Sequence, residues 1–137
     1  MNSEFNFALL AVLVGFFVAA FLAPWDSYFL GNFLYYWGSQ LAVVGVSLIF
    51  KPRPIVLAGI ATSLVIYLGA FGLWVHSLPA RDAMVWLYYF LSLPGALGGA
   101  VVSTFVFPHK SSATASVAGL STIAIVWAGA IMFLWLY

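Results

Sequence analysis

Hydrophobic residues fall into five long runs, at about 5–23, 28–50, 55–75, 84–107 and 113–137. A helix of roughly 20 apolar residues crosses about 30 Å of hydrocarbon, so each run is long enough to span a bilayer. The connections PWDS, KPRP, HSLPARDA and PHKSS each carry proline, charge or both, which end one helix and begin the next. The pattern predicts one all-α domain over 1–137, a polytopic membrane bundle of five transmembrane helices. Four spans are possible if one run is re-entrant, because only PWDS separates the first two.

Composition supports a lipid environment. Of the 137 residues, 66% are hydrophobic and 5% are charged, too few polar groups for a water-exposed surface. A net charge of +1 offers no basic field for nucleic acid, so we expect no nucleic-acid partner. The chain has no cysteine and no metal-ligand, phosphate-loop or nucleophile motif. We therefore predict a protein that is not an enzyme and has no cofactor or metal.

The basic residues of the connections predict the orientation. With five spans, Lys51, Arg53 and Lys110 share the side of the N-terminus, whereas Arg81, offset by Asp82, lies on the other. Basic loops are retained in the cytoplasm, so the N-terminus should be inside and the C-terminus outside. The leading MNSEFN has no Lys or Arg, which favours a retained first helix over a signal peptide. We expect the bacterial inner (cytoplasmic) membrane.

The stretch LSLPGALGGA places helix-breaking residues in the middle of the fourth run. Pro94 removes the hydrogen bond to the Phe90 carbonyl and should kink the helix there. A freed carbonyl in hydrocarbon needs another donor, and we expect Ser92 or a neighbouring helix to provide it.

Gly95, Gly98 and Gly99 follow i, i+3, i+4 spacing, which predicts a flat helix face that another backbone can approach. Gly95 and Gly99 also form a GxxxG pattern, which is typical of helix packing in membranes. Two interpretations stay open: the face holds this bundle together, or it packs against a partner protein. Similar small-residue stripes occur in other runs: Ala8, Ala11, Gly15 and Ala19; Gly38, Ala42 and Gly45; Gly59 and Ser63; Ala115, Ala118, Gly119 and Thr122.

Polar side chains at membrane depth include Ser39 and Gln40, and the spans contain no carboxylate or histidine of the kind a proton-coupled transporter uses. Gln40 is interpreted as an interhelical hydrogen-bonding residue, with a substrate contact as the alternative. In the HSLPARDA connection, His76, Arg81 and Asp82 form the one titratable cluster. They are a candidate external recognition site, or solvated charges that fix orientation.

Two functional hypotheses follow. The first is a small membrane protein that acts by helix packing against another integral membrane protein, as an accessory subunit or as an inhibitor such as an immunity protein. The second is a small transporter or channel that works as a homo-oligomer. Pro94, Gln40 and a loose similarity between 35–50 and 88–107 favour the second. The short connections, the many small-residue faces and the lack of an intramembrane charge favour the first.

Overall fold

The computed structural model describes residues 3–79 and 84–136, which form helices joined by short connections without a strand among them. The helices are α1 (Ser3–Leu22), α2 (Phe29–Phe33), α3 (Ser39–Ile49), α4 (Pro54–Ser77), α5 (Val85–Val106) and α6 (Ala115–Leu134). A π-helical turn, Leu34–Gly38, joins α2 directly to α3. The expected all-helical fold is confirmed for this part of the chain.

Four helices, α1, α4, α5 and α6, are long and apolar enough to cross a membrane. The second hydrophobic run is also helical throughout, but the π-helical turn divides it into α2, the turn and α3. A π turn inserts one residue into the helical repeat and rotates the side chains that follow it. The hydrophobic pattern did not predict this interruption.

Local sequence explains where the helices begin. Pro54 is the first residue of α4, where its missing N–H costs nothing, and Arg53 before it is extended. Thr114 caps α6, since its hydroxyl accepts a hydrogen bond from the Val117 amide at 3.3 Å. Lys51 has a φ of 49°, a left-handed conformation that reverses the chain between α3 and α4.

Helix α4 is the centre of the bundle. It packs against α1 and α6 over long interfaces and contacts α3 and α5 over shorter ones, and α5 packs most extensively on α6. Within the most apolar stretch of α4, 61% of residues are buried, compared with 17% in α1. Helix α1 is therefore peripheral, and most of its side chains are available to lipid.

Arg53 connects three segments at one end of the bundle. Its guanidinium lies 3.0 Å from the Glu4 carboxylate and donates a hydrogen bond to the Ala113 carbonyl at 3.0 Å. The start of α1, the α3–α4 connection and the α5–α6 connection therefore lie together. The ends of α1 and α4 and the starts of α2 and α5 lie at the opposite end.

Candidate functional site

The GxxxG face of α5 packs on α6 of the same chain. A Cβ atom added at Gly99 would lie 2.6 Å from the Ile125 carbonyl oxygen and 2.8 Å from the Val126 Cα. A Cβ atom added at Gly95 would collide with the backbone of Gly129, and one added at Gly129 would collide with the backbone of Gly95. Two helix backbones touch here, as small residues permit in membranes. The prediction that Gly95 and Gly99 contact a partner is thus corrected, because α6 already covers both.

Other small-residue stripes are also used inside the bundle. A Cβ at Gly59 would come within 2.9 Å of the Gly119 carbonyl oxygen and of the Thr122 side chain, so α4 and α6 meet closely there. The Ser63 hydroxyl donates to the Ile123 carbonyl at 3.3 Å in the same interface. On the opposite side of α4, Gly72 receives the Leu22 side chain of α1. These stripes hold the fold together.

Three glycines near the α3–α5 boundary face outward instead. Apart from chain neighbours and the backbone of the same helix, no atom lies within 4 Å of a Cβ added at Gly38, Gly45 or Gly98. The same is true of Gly31 and Gly69, which lie elsewhere on the bundle. Ala42 and Pro94, which continue the same two stripes, are exposed. We call Gly38, Ala42, Gly45, Pro94 and Gly98 the α3/α5 face. Only Gly98 of the three predicted partner-packing glycines remains available on the surface.

A shallow groove of about 270 Å³ runs along this face. Its walls are almost entirely apolar, and Ala42 and Pro94 lie in them. The rings of Tyr35 and Phe90 stack at 5.6 Å near the start of α5, and those of Phe50 and Phe105 meet edge to face at 6.0 Å near its end. The two aromatic pairs bridge the helices at both ends of the groove, so α3 and α5 leave an apolar recess between them.

Helix α5 continues through Pro94, and the predicted kink stays a prediction. Ser92 does not supply the donor that we expected for the Phe90 carbonyl. Its hydroxyl donates to the Tyr89 carbonyl at 2.6 Å. Among the side-chain hydrogen bonds of the described residues none ends on Phe90, whose side chain lines the groove.

Gln40 lies between three helices. It is buried, its amide donates to the Leu64 carbonyl of α4 at 3.4 Å, and its carbonyl oxygen would meet a Cβ added at Gly15 of α1. These contacts support the interhelical role expected of it. Ser39 is only partly buried, and its hydroxyl donates to the Tyr36 carbonyl in the preceding turn.

Two tyrosines that the sequence analysis did not single out as a pair lie at the centre of the bundle. The hydroxyl oxygens of Tyr67 and Tyr89 are buried and make no hydrogen bond of standard geometry, and their rings stack at 5.9 Å. Ser92 lies close to the first hydroxyl, and Ser39 and Gln40 lie close to the second. Next to Gln40, the enclosed space measures about 10 Å³, enough for about one water molecule. The described part of the bundle therefore has a polar centre, and the space beside Gln40 is narrow.

His76 lies on the last turn of α4, exposed, with its Nδ1 atom 2.8 Å from the Gly72 carbonyl oxygen. Arg81 and Asp82, the other two members of the predicted recognition cluster, lie outside the described residues. A cleft between the ends of four helices contains His76 together with Asn32, Tyr36 and Trp86. Sequence reasoning missed this cleft because its residues come from separate runs.

Comparison with known proteins adds no relative: no family model matches the chain, and no curated protein or solved structure is similar to it. The fold and surfaces described above define an all-helical protein with four helices suited to a membrane.

Proposed function

We propose that the chain is a non-enzymatic integral membrane protein that acts by packing its α3/α5 face against another membrane protein. In this proposal all five hydrophobic runs span the bacterial cytoplasmic membrane, with the N-terminus inside. The partner approaches within the bilayer. The protein serves either as an accessory subunit of a larger complex or as an inhibitor, of which an immunity protein is one form.

The observation that carries this proposal is the outward direction of the α3/α5 face. The glycines between α5 and α6 and between α4 and α6 already contact a neighbouring helix of the same chain. Gly38, Gly45 and Gly98 have open space above them. Lipid chains do not require a flat helix surface, whereas a second helix does, because small residues let backbones approach closely. A small-residue face left over after folding therefore favours a helix of another protein.

The chemistry of the groove describes the partner. Its lining includes no charged residue, and its volume of about 270 Å³ accommodates one or two large apolar side chains. We expect a partner helix that places Leu, Ile or Phe into the recess beside Pro94. A donor on that helix would also satisfy the Phe90 carbonyl, which proline deprives of its usual partner.

Transport by a homo-oligomer is the second candidate, and the unpartnered Tyr67 and Tyr89 hydroxyls favour it. Buried polar groups without partners occur in sites that bind a solute or water. The narrow space beside Gln40 weighs against it. So does the position of Glu4 and His76, which lie at the ends of α1 and α4 rather than in the middle of a span. We therefore rank it second.

Site-specific photocrosslinking in the native host tests the proposal. A photoreactive phenylalanine analogue replaces Gly45 or Gly98, and Gly69 of α4 is the control because it also has open space above it but lies away from the α3/α5 face. We expect a heteromeric adduct from positions 45 and 98 and none from 69. An adduct with a second copy from 45 and 98 would favour the homo-oligomer. Equal adducts from all three positions would reject a specific face.

Substitution gives a second test. Gly45→Leu fills the face without touching the bundle interior, so we expect loss of the copurified partner with normal expression. Gly69→Leu should retain the partner. For an inhibitor whose target is absent from its host, the same two variants are compared for protection of a target membrane. Retention of partner or protection by Gly45→Leu would count against the α3/α5 face.

A further inference from the structure

The cleft at the His76 end of the bundle is a separate feature from the α3/α5 face. It holds about 510 Å³ between the end of α1, the start of α2, the end of α4 and the start of α5. This volume lies within the range of small-molecule sites. Its walls include Trp25, Asn32, Tyr36, His76 and Trp86.

Tyr36 gives the cleft an unused hydrogen-bonding group. The residue is only 4% exposed, it lines the cleft, and its hydroxyl makes no hydrogen bond to the described residues. The hydroxyl is therefore available to a ligand, and one neutral hydrogen bond contributes about 0.5–1.5 kcal/mol. A ligand oxygen in the cleft would supply the missing acceptor.

His76 and Asn32 complete the polar set. The Gly72 carbonyl can only accept a hydrogen bond, so the proton of the neutral imidazole lies on Nδ1. The other ring nitrogen, Nε2, is then an acceptor. The Asn32 amide can both donate and accept. Together the three side chains can bind a ligand that carries carbonyl or hydroxyl oxygens.

Hydrogen-bonding groups and ring geometry narrow the ligand class. The described lining offers hydrogen bonds from Tyr36 and Asn32, which suit uncharged ligand oxygens. The Tyr36 and Trp86 rings lie 4.4 Å apart at 34°, so each covers a face of the other. A cage for a quaternary ammonium group needs ring faces that are open to the cation, and these two rings cover one another. Their remaining surfaces are flat and apolar, which suits another ring.

We propose that this cleft binds a flat, uncharged amphiphile, in which a conjugated ring bears hydrogen-bonding oxygens and an apolar tail extends into lipid. Tyr36 donates to one ring oxygen and the Asn32 amide donates to an oxygen on the other side of the ring. His76 can accept only from a ring hydroxyl. Phe21 and Trp25, 84% and 81% exposed, form the outer wall toward the lipid. The tail leaves along this wall.

Fluorine NMR of the protein labelled with 5-fluorotryptophan in lipid nanodiscs tests the proposal. The probe is 2-decyl-1,4-benzoquinone, which meets no cysteine with which it could react, and decylbenzene is the control without oxygens. Trp86 reports on the cleft, and Trp135, 86% exposed at the end of α6, reports on partition into lipid. We expect a saturable shift at Trp86 with benzoquinone, little change at Trp135, and no saturable shift with decylbenzene.

Two matched substitutions sharpen the test. Tyr36→Phe removes only the unbonded hydroxyl and should weaken probe binding about two- to tenfold, the effect of one neutral hydrogen bond. Tyr88→Phe changes an exposed tyrosine two residues from Trp86 that does not line the cleft, and should leave affinity unchanged. Asn32→Leu should also weaken binding because it removes the second donor, whereas Asn6→Leu at the other end of the bundle should not.

Three outcomes would overturn the proposal. Parallel, unsaturable shifts at Trp86 and Trp135 would mean partition into lipid only. Equal affinity for decylbenzene, or unchanged affinity in Tyr36→Phe, would remove the hydrogen-bonding role. Saturable binding of decyltrimethylammonium in place of benzoquinone would assign the cleft to a cation. The other tryptophan resonances report whether each variant keeps the native fold.

Discussion

Adjacent glycines in α5 provide a direct test of the packing. Gly98 has open space above it, whereas a Cβ at Gly99 would lie 2.6 Å from the Ile125 carbonyl oxygen and 2.8 Å from the Val126 Cα. Ordinary van der Waals contact begins near 3.4 Å. Both clashing atoms belong to the backbone of α6, so no side chain can rotate away and the helices themselves must separate.

The magnitude follows from comparing Gly99→Ala with Gly98→Ala. Alanine favours a helix over glycine by about 1 kcal/mol, and this gain cancels because both residues lie in the same helix. Forcing an extra carbon into a packed interface costs typically about 1–3 kcal/mol. We therefore expect Gly99→Ala to be less stable than Gly98→Ala by about 1–3 kcal/mol in free energy of unfolding.

Reversible unfolding in mixed micelles of dodecyl maltoside and SDS, followed by circular dichroism, measures this difference. Expression in a host that lacks the native partner ensures that the result reports the bundle alone. Gly45→Ala is a further control in open space and should behave like Gly98→Ala. Equal stabilities for the two α5 variants, or a less stable Gly98→Ala, would refute the α5–α6 packing described above.

Three further predictions concern the interior and the basic end of the bundle. Arg53→Met should lower the melting temperature more than Glu4→Gln, because Arg53 also donates to the Ala113 carbonyl. The partly exposed ion pair with Glu4 alone contributes at most about 1 kcal/mol. A larger effect of Glu4→Gln would contradict this prediction. Gly15→Ala should destabilise by about 1–2 kcal/mol because its Cβ would lie 2.7 Å from the Gln40 side-chain oxygen. In a Gln40→Ala background the cost should fall, because the close contact with the Val65 methyl group at 3.0 Å alone remains. A double-mutant cycle measures the difference. Tyr89→Phe should leave the free energy of unfolding unchanged or raise it by up to about 1–3 kcal/mol, because it removes a buried hydroxyl that makes no hydrogen bond of standard geometry. A loss of stability above about 1 kcal/mol would mean that the hydroxyl is bonded.

The helices could be predicted from the sequence because hydrophobic length and proline or charge in the connections determine where a helix begins and ends. The predicted run at 55–75 corresponds to α4, Pro54–Ser77, and the run at 84–107 to α5, Val85–Val106. The π-helical turn could not be predicted, since LYYWG is as apolar as its neighbours. The turn changes which side chains of α3 face the other helices, and the sequence alone does not indicate those contacts.

Whether each small-residue face points into the bundle or outward also could not be predicted from the sequence. Spacing placed Gly95, Gly98 and Gly99 on one broad face, but neighbouring residues of a helix differ by about 100° in direction. This rotation places Gly99 against α6 and Gly98 at the surface. In a soluble protein hydrophobicity would mark the inner face, whereas here both lipid and interior are apolar. The polar cleft was missed for a different reason, because only the fold brings Tyr36 and His76 together.

Close helix packing at the glycines limits the space inside the bundle. Backbone contacts at Gly59, Gly95 and Gly99 bring α4, α5 and α6 close together, and aromatic rings fill the space around Tyr67 and Tyr89. A single copy packed in this way has little room for a moving solute, as the space beside Gln40 indicates. Both proposals therefore place activity on the surface, at the α3/α5 face or in the cleft at the His76 end of the bundle. Because these surfaces have different lining residues, Gly45→Leu should leave probe binding in the cleft intact, and Tyr36→Phe should leave the partner bound. If either substitution abolished both, the two surfaces would be coupled through α2, the π-helical turn and α3, which contribute residues to both.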